Sequence, residues 1–279
     1  MSSPARDQYF PGGRLPDSAA RRHLRALARS APWLSSSLRL SVDLPPAYAR
    51  EELGLEGELT VLLRSREAVA ISNDRDQLVF QRERFTQDRG LDYVAATAAS
   101  WQLPASLVTP VFGDDHLVYR RPAIQGFGDL LPLPFLQAVL DPYELAGEEP
   151  ASLELAFNHP TFIHELREST DAQGRPVLAA VLSAGHNYRP AVPGYPLVPA
   201  GTRTLVELDR QTGILLRREV LDGEPAPTLR VRVLAHNEYY IDSLFTAPTP
   251  TLVDVRAPRP WTLRPRTAQD PGGTGLKRR

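Results

Sequence analysis

Three short apolar runs between residues 57 and 81 are joined by polar links too brief to recross a sheet, and this constrains the fold more than any other feature. Gly57-Glu-Leu-Thr-Val-Leu-Leu-Arg64 and Glu67-Ala-Val-Ala-Ile-Ser72 stand two residues apart, and Asn73-Asp-Arg-Asp76 leads into Gln77-Leu-Val-Phe-Gln81. Parallel neighbours need a crossover of roughly a dozen residues or more, so these runs predict an antiparallel meander. Before them, Ser37-Leu-Arg-Leu-Ser-Val-Asp-Leu44 alternates strictly and predicts a strand with Leu38, Leu40, Val42 and Leu44 on one face.

The same signal returns from residue 151. Residues 151–157, 161–170, 175–183, 202–209, 214–221 and 228–235 are candidate strands. Asp171-Ala-Gln-Gly174 and Arg210-Gln-Thr-Gly213 read as turns, with glycine where positive φ is often required. Around the second turn, Leu205, Val206 and Leu208 with Ile214 and Leu216 predict a hairpin.

Helices are few. Asp17-Ser18 supplies an N-cap, and Ala20, Leu24, Leu27 and Ala31 recur at helical spacing, with Arg21, Arg22, Arg25 and Arg29 on the other face. This predicts an amphipathic helix ending at Pro32, docked by its apolar stripe. Leu91, Val94, Ala95, Ala98 and Trp101 are also spaced for a helix. His116-Leu-Val-Tyr-Arg120 reads as a strand, and a short helix is expected over 134–140, because proline is tolerated in a first helical turn.

The 27 prolines among 279 residues are about twice the usual share of ~5%. Eleven of them fall in three segments. Residues 1–16 are expected to form a disordered arm and 251–279 a disordered tail, leaving one domain over about 17–250. Residues 186–200 hold Pro190, Pro193, Pro196 and Pro199, and a loop of that length is a candidate lid or binding loop. The predicted fold class is α+β, mostly β: a single antiparallel sheet with one face against a few helices.

Charge and composition exclude several functions. A net charge of −1 gives no basic excess of the kind nucleic-acid binders show, so no nucleic-acid partner is expected. With no cysteine, thiol catalysis and thiolate metal sites are ruled out. No stretch reaches the 18 or so apolar residues of a membrane span, and the first fourteen residues lack the apolar core of a signal peptide. A cytoplasmic location is expected.

Residues 203–245 resemble a known family. A strand, the turn Asp209-Arg-Gln-Thr-Gly213, a second strand, a further paired strand and the closing Ile241-Asp-Ser-Leu-Phe245 are similar to the C-terminal half of the LolA-like lipoprotein-carrier superfamily, which includes LppX-type lipid carriers and RseB/MucB-type regulators. Val118-Tyr-Arg-Arg-Pro122 and Leu140-Asp-Pro-Tyr-Glu-Leu145 are similar to the segment these proteins carry before a short helix. The resemblance spans about two thirds of the chain and rests on the order of elements. It implies a strongly curved antiparallel sheet, an incomplete β-barrel, wrapped around helices with an apolar cavity between. It also implies binding of an acyl chain or a protein partner rather than catalysis. Members carry export signals, so the absence of one from the first fourteen residues implies either a misassigned start codon or an intracellular use of the fold.

Candidate chemistry is sparse. In Asn158-His159-Pro-Thr-Phe-Ile-His164-Glu165 the two histidines share neither a helix face nor a strand face, so a turn histidine and a solvent-facing strand histidine are expected, not a zinc site. Asp114-Asp115-His116 reads as a turn more readily than as a general base with its orienting carboxylate. Neither a nucleophile elbow nor a phosphate loop is present. No catalytic residue, metal or cofactor is therefore assigned. Trp33, Trp101, Phe127, Phe135 and Leu136 remain as ligand-binding candidates, sitting in or near the predicted helices and loops. The favoured function is carriage of a hydrophobic, lipid-like ligand. The alternatives are a protein-interaction module of the regulator type and an enzyme with a lipid-like or polyketide-like substrate.

Overall fold

A computed structural model of the chain describes residues 18–43, 57–65, 67–83, 110–121, 131, 133–147, 159–192, 194–223 and 228–246. The predicted arm, the tail, the helix spaced around residues 91–101 and the strand over 151–157 lie outside these. Helix α1 (Ser18–Leu34) opens the described chain. It is followed by β1 (Ser37–Asp43), β2 (Glu58–Arg64), β3 (Ala68–Ser72), β4 (Leu78–Glu83), β5 (Val111–Phe112) and β6 (Val118–Arg120). Helix α2 (Pro134–Leu140) precedes β7 (Thr161–Thr170), β8 (Pro176–Ala184), β9 (Arg203–Asp209), β10 (Leu215–Val220) and β11 (Leu229–His236).

Alternation and short turns do what they predict. Strands β1–β4 form one meander and β7–β11 another, and β1 pairs with β11 to join them into a nine-stranded sheet, ordered β4-β3-β2-β1-β11-β10-β9-β8-β7. Every neighbouring pair is antiparallel. The sheet stays open, with β4 and β7 at its edges. Register shifts beside Leu40, Ser72, Glu165 and Arg217 place irregularities along it, and bulges of this kind bend strands and increase twist. The result is the expected mostly β, α+β architecture, a curved sheet wrapped around helices.

One core fills the concave side. Leu24, Leu27 and Ala31 of α1 and Leu136, Val139 and Leu140 of α2 pack with Leu40, Val61, Val206, Leu208 and Ile214 of the sheet region. A smaller cluster lies on the other side, where Phe245 is wholly buried against Ala68 and Ala70. Arg64 lies over the Phe245 ring and bonds to the Tyr240 carbonyl and the Asp242 carboxylate. Two alanines in β3 leave room for that ring, which explains why the strand is buried along both faces.

The Asp209–Gly213 turn seats α1. The Asp209 carboxylate is fully buried and accepts from the Thr212 amide at 3.0 Å, the Thr212 hydroxyl at 2.5 Å and Arg175 at 2.9 Å. Gly213 has φ of +71°, and a β-carbon there would come within 2.7 Å of the Leu27 carbonyl. Glycine is thus required twice, for the left-handed turn and for the approach of the helix backbone.

Two expectations change. Helix α1 passes through Pro32 to Leu34 instead of ending at it. A proline in the last turn forfeits a single ladder bond, and the Pro32 carbonyl accepts from the Ser65 hydroxyl at 3.1 Å. Residues 118–120 do not join the main sheet. They pair with β5 as a separate hairpin turned at Asp114–His116, where His116 has φ of 60°.

Candidate functional site

Residues four apart on a helix lie on one face, so Arg25, Arg29 and Trp33 form a stripe along α1. The pattern placed Arg25 and Arg29 toward solvent. They are instead 8% and 4% exposed, whereas Arg21 and Arg22 remain outside. The β5–β6 hairpin and the start of β7 cover the helix on that side. The Val118 amide donates to the Ser30 hydroxyl at 2.7 Å, and Arg29 Nε donates to the Val118 carbonyl at 3.1 Å. Arg25 Nη2 donates to the Thr161 carbonyl at 3.1 Å. Among the described residues, no carboxylate pairs with either arginine at ion-pair distance, and Arg25 Nε is buried without any partner.

Burial governs the protonation here. Desolvation, helped by neighbouring cations, pushes both guanidinium groups down to about 10, so both remain charged at neutral pH. For Arg25 these neighbours are Arg21 and Arg29; for Arg29 the cation is Arg121, opposed by Asp115 and Tyr119. His159, two residues before Thr161, is held below its ordinary value by burial first and then by Arg25 and Arg29.

A second buried arginine site adjoins the first. Arg121 makes a two-pronged pair with Asp141 at 2.6 and 2.7 Å, and both side chains are buried. Its guanidinium lies 4.0 Å from the centre of the Tyr143 ring and 5.3 Å from that of Trp33. The two segments similar to the LolA-like pattern, 118–122 and 140–145, therefore meet through this pair.

The next residue but two after Asp141 pins the proline-rich loop. Glu144 is 2% exposed and accepts from the Tyr188 hydroxyl, from the Ala191 amide at 2.5 Å and from the Leu197 amide at 2.6 Å. The Val198 amide donates to the Tyr188 oxygen at 3.0 Å. Burial raises the Glu144 pKa against the pull of these hydrogen bonds, and burial together with Glu144 pushes the Tyr188 hydroxyl up. With Leu197 and Val198 buried as well, the loop is anchored in the core rather than poised above it.

Three of the five ligand-binding candidates lie among the described residues. Trp33 is half-buried on the arginine stripe, and its indole N–H has no partner among the described residues. Phe135 and Leu136 are buried in the main core on α2. Trp101 and Phe127 lie outside the described residues. His159 and His164 do not converge: His164 is exposed on β7 and lies 2.7 Å from the Ser183 hydroxyl. Among the described residues no three metal-ligating side chains cluster. Asp115 serves the hairpin turn, accepting from the Leu117 amide at 3.1 Å. Arg25, Arg29, Arg121, Asp141, Glu144 and Tyr188 were not singled out by the sequence reading. For Arg121, Asp141 and Glu144 the available signal was their place in the segments 118–122 and 140–145.

No protein-family model matches the chain, and no curated protein sequence matches it. Among solved structures, the crystal structure of MucB matches over 83% of this chain at 13% identity, with a TM-score of 0.31. The chain covers 64% of the length of that protein. Overlap at this level lends no support to a shared function. Among the described residues no helix is long and apolar enough to cross a membrane.

Proposed function

We propose that the chain binds an apolar, lipid-like molecule on the helix-covered side of its sheet, and does so without catalysis. The observation that carries this is the β5–β6 hairpin. Its Val118 is buried against the helix layer, while Val111, Phe112 and Tyr119 are all exposed on this one small element. Clustered exposed apolar side chains mark interaction surfaces more often than isolated ones do. The polar groups beneath the hairpin include guanidinium and indole donors, which suit holding and orienting a ligand. The order of elements resembling the LolA-like carriers points the same way.

A thermal-shift series with long-chain acids, alcohols and acylglycerols, kept below their micelle thresholds, tests this. Binding to the native state alone adds about 2.7 kcal/mol at a free concentration about 100 times Kd. If none of the series raises the melting temperature, the reading fails.

A specific observation favours a second reading, a protein-interaction module. Leu234, Tyr239, Ile241 and Leu244 are exposed at the end of β11 and just after it, and Tyr239 is 88% exposed. Competition by a purified partner, with no response to any amphiphile, would put this reading first.

A further inference from the structure

The Arg25–Arg29 site combines two charged guanidinium groups that, among the described residues, have no carboxylate at ion-pair distance. A buried arginine is normally paired, because an uncompensated buried charge is costly. Here the protein partners are two backbone carbonyls, of Thr161 and Val118, which neutralise nothing. Arg25 Nε is buried without a partner among the described residues, and Trp33, two turns along the same stripe, leaves its indole N–H unpartnered there too. Unpartnered buried donors are rare in native proteins and call for a missing acceptor. The two arginines stand one helical turn apart, about 6 Å of rise. At that separation, two planar forks can share one acidic group through parallel N–H···O bonds.

We propose that Arg25 and Arg29 form a binding site for a carboxylate or phosphate group, and that this anion is the head group of the apolar ligand. The second half rests on the ligand-binding reading above; the first does not. The site lies between the hairpin and the start of β7, so a head group held there would leave its chain beside Val111, Phe112 and Tyr119. His159 flanks the site and gains a proton partner when an anion enters. Asp115, on the hairpin turn, is the nearby acidic group that partly offsets the charge of Arg29.

The test is calorimetry and thermal shift on the full chain with hexadecanoate, hexadecyl phosphate, methyl hexadecanoate and inorganic phosphate alone. Charge-assisted hydrogen bonds predict that the two acidic amphiphiles bind about tenfold or more tighter than the neutral ester. That margin should vanish in the Arg25→Gln/Arg29→Gln variant. Inorganic phosphate binding with the same arginine dependence, and no amphiphile binding, would uphold the anion site while sinking the lipid reading. Equal affinity for the ester and the acids would uphold the lipid reading and overturn the anion site. Insensitivity of every anion to both arginines would also overturn it. Should the double variant fail to fold, the Arg25 Nε–H resonance, assigned by its loss in Arg25→Lys, serves in its place. It must shift on titration with hexadecyl phosphate, and an unmoved signal at saturation refutes the site.

Discussion

Arg121 and Arg25 are both buried guanidinium groups in the layer between the helices and the β5–β6 hairpin, yet they are treated in opposite ways. Arg121 gives two hydrogen bonds to Asp141 and lies over the rings of Tyr143 and Trp33, so its charge is paired. Arg25 gives one bond to a carbonyl and leaves a buried N–H empty. A buried pair roughly breaks even against apolar packing, while an unpaired buried charge is a net loss. The first arrangement is what a fold uses to fix one element against another. The second sacrifices stability, and such sacrifices concentrate where a ligand completes the structure.

The largest expected effect comes from making the satisfied site resemble the unsatisfied one. Asp141→Asn should cost about 3–5 kcal/mol, because it removes the carboxylate paired with a buried guanidinium. Denaturant unfolding measures this. A loss below about 1 kcal/mol would mean that Arg121 finds other compensation and that the contrast with Arg25 is not electrostatic.

Next comes the seat that holds the stripe in place. Gly213→Val forces a β-branched residue to φ of +71° and drives its β-carbon toward the Leu27 carbonyl. Backbone strain alone should cost about 1–3 kcal/mol, with the clash in addition. Because α1 must lift, the Arg25 contact to Thr161 should be lost before the Arg121–Asp141 pair, readable as faster amide exchange at residues 159–161 than at 141–145. Equal loosening of both regions would show that they move as one body.

The sheet was legible because its signals are local. Period-two alternation placed β1, β2, β3 and β7–β11, and Asp-x-x-Thr-Gly located the β9–β10 turn with its left-handed glycine. The site was not legible because its contacts are distant. Arg29 meets a carbonyl 89 residues on, and Arg25 one 136 residues on. Pattern reading assigns charged helical residues to water, and nothing near α1 in sequence announces the hairpin that covers them. Glu144 shows the same limit, since its partners in the loop lie 44 to 53 residues away. Phe245 was recognised only as the end of a motif; its burial depends on the small Ala68 and Ala70 of a remote strand.

A smaller effect, of opposite sign to the first, is expected at Arg25. Arg25→Met keeps the length and apolar stem while removing the unpaired charge, so the ligand-free protein should be unchanged or gain up to about 1 kcal/mol. Asp141→Asn and Arg25→Met then form a matched contrast, one destabilising and one not. A loss of about 2 kcal/mol or more in Arg25→Met would show that the Thr161 bond outweighs the cost of the charge, removing the energetic case for a missing anion.

The smallest effect is a pH dependence at His159. Its folded-state pKa lies below the ordinary 6.5, through burial and then Arg25 and Arg29. The unfolded chain therefore binds the proton more readily than the folded one does. The stabilisation from His159 is fully present above pH 6.5 and is lost as pH falls through the depressed folded value. The groups around it are the cations Arg25 and Arg29 from α1, with Asp115, Tyr119 and Arg121 acting on Arg29 from the hairpin and the residue after it. In a zwitterionic buffer the wild type and His159→Gln should have parallel melting curves above pH 6.5, with the wild type falling behind below it. A bound anion reverses the local field and favours the imidazolium, so saturating hexadecyl phosphate should abolish the divergence and bind more tightly as pH falls. Curves that stay parallel through pH 5 in the ligand-free protein would show that His159 does not feel the arginines. A divergence that persists with the anion bound would place the anion away from both.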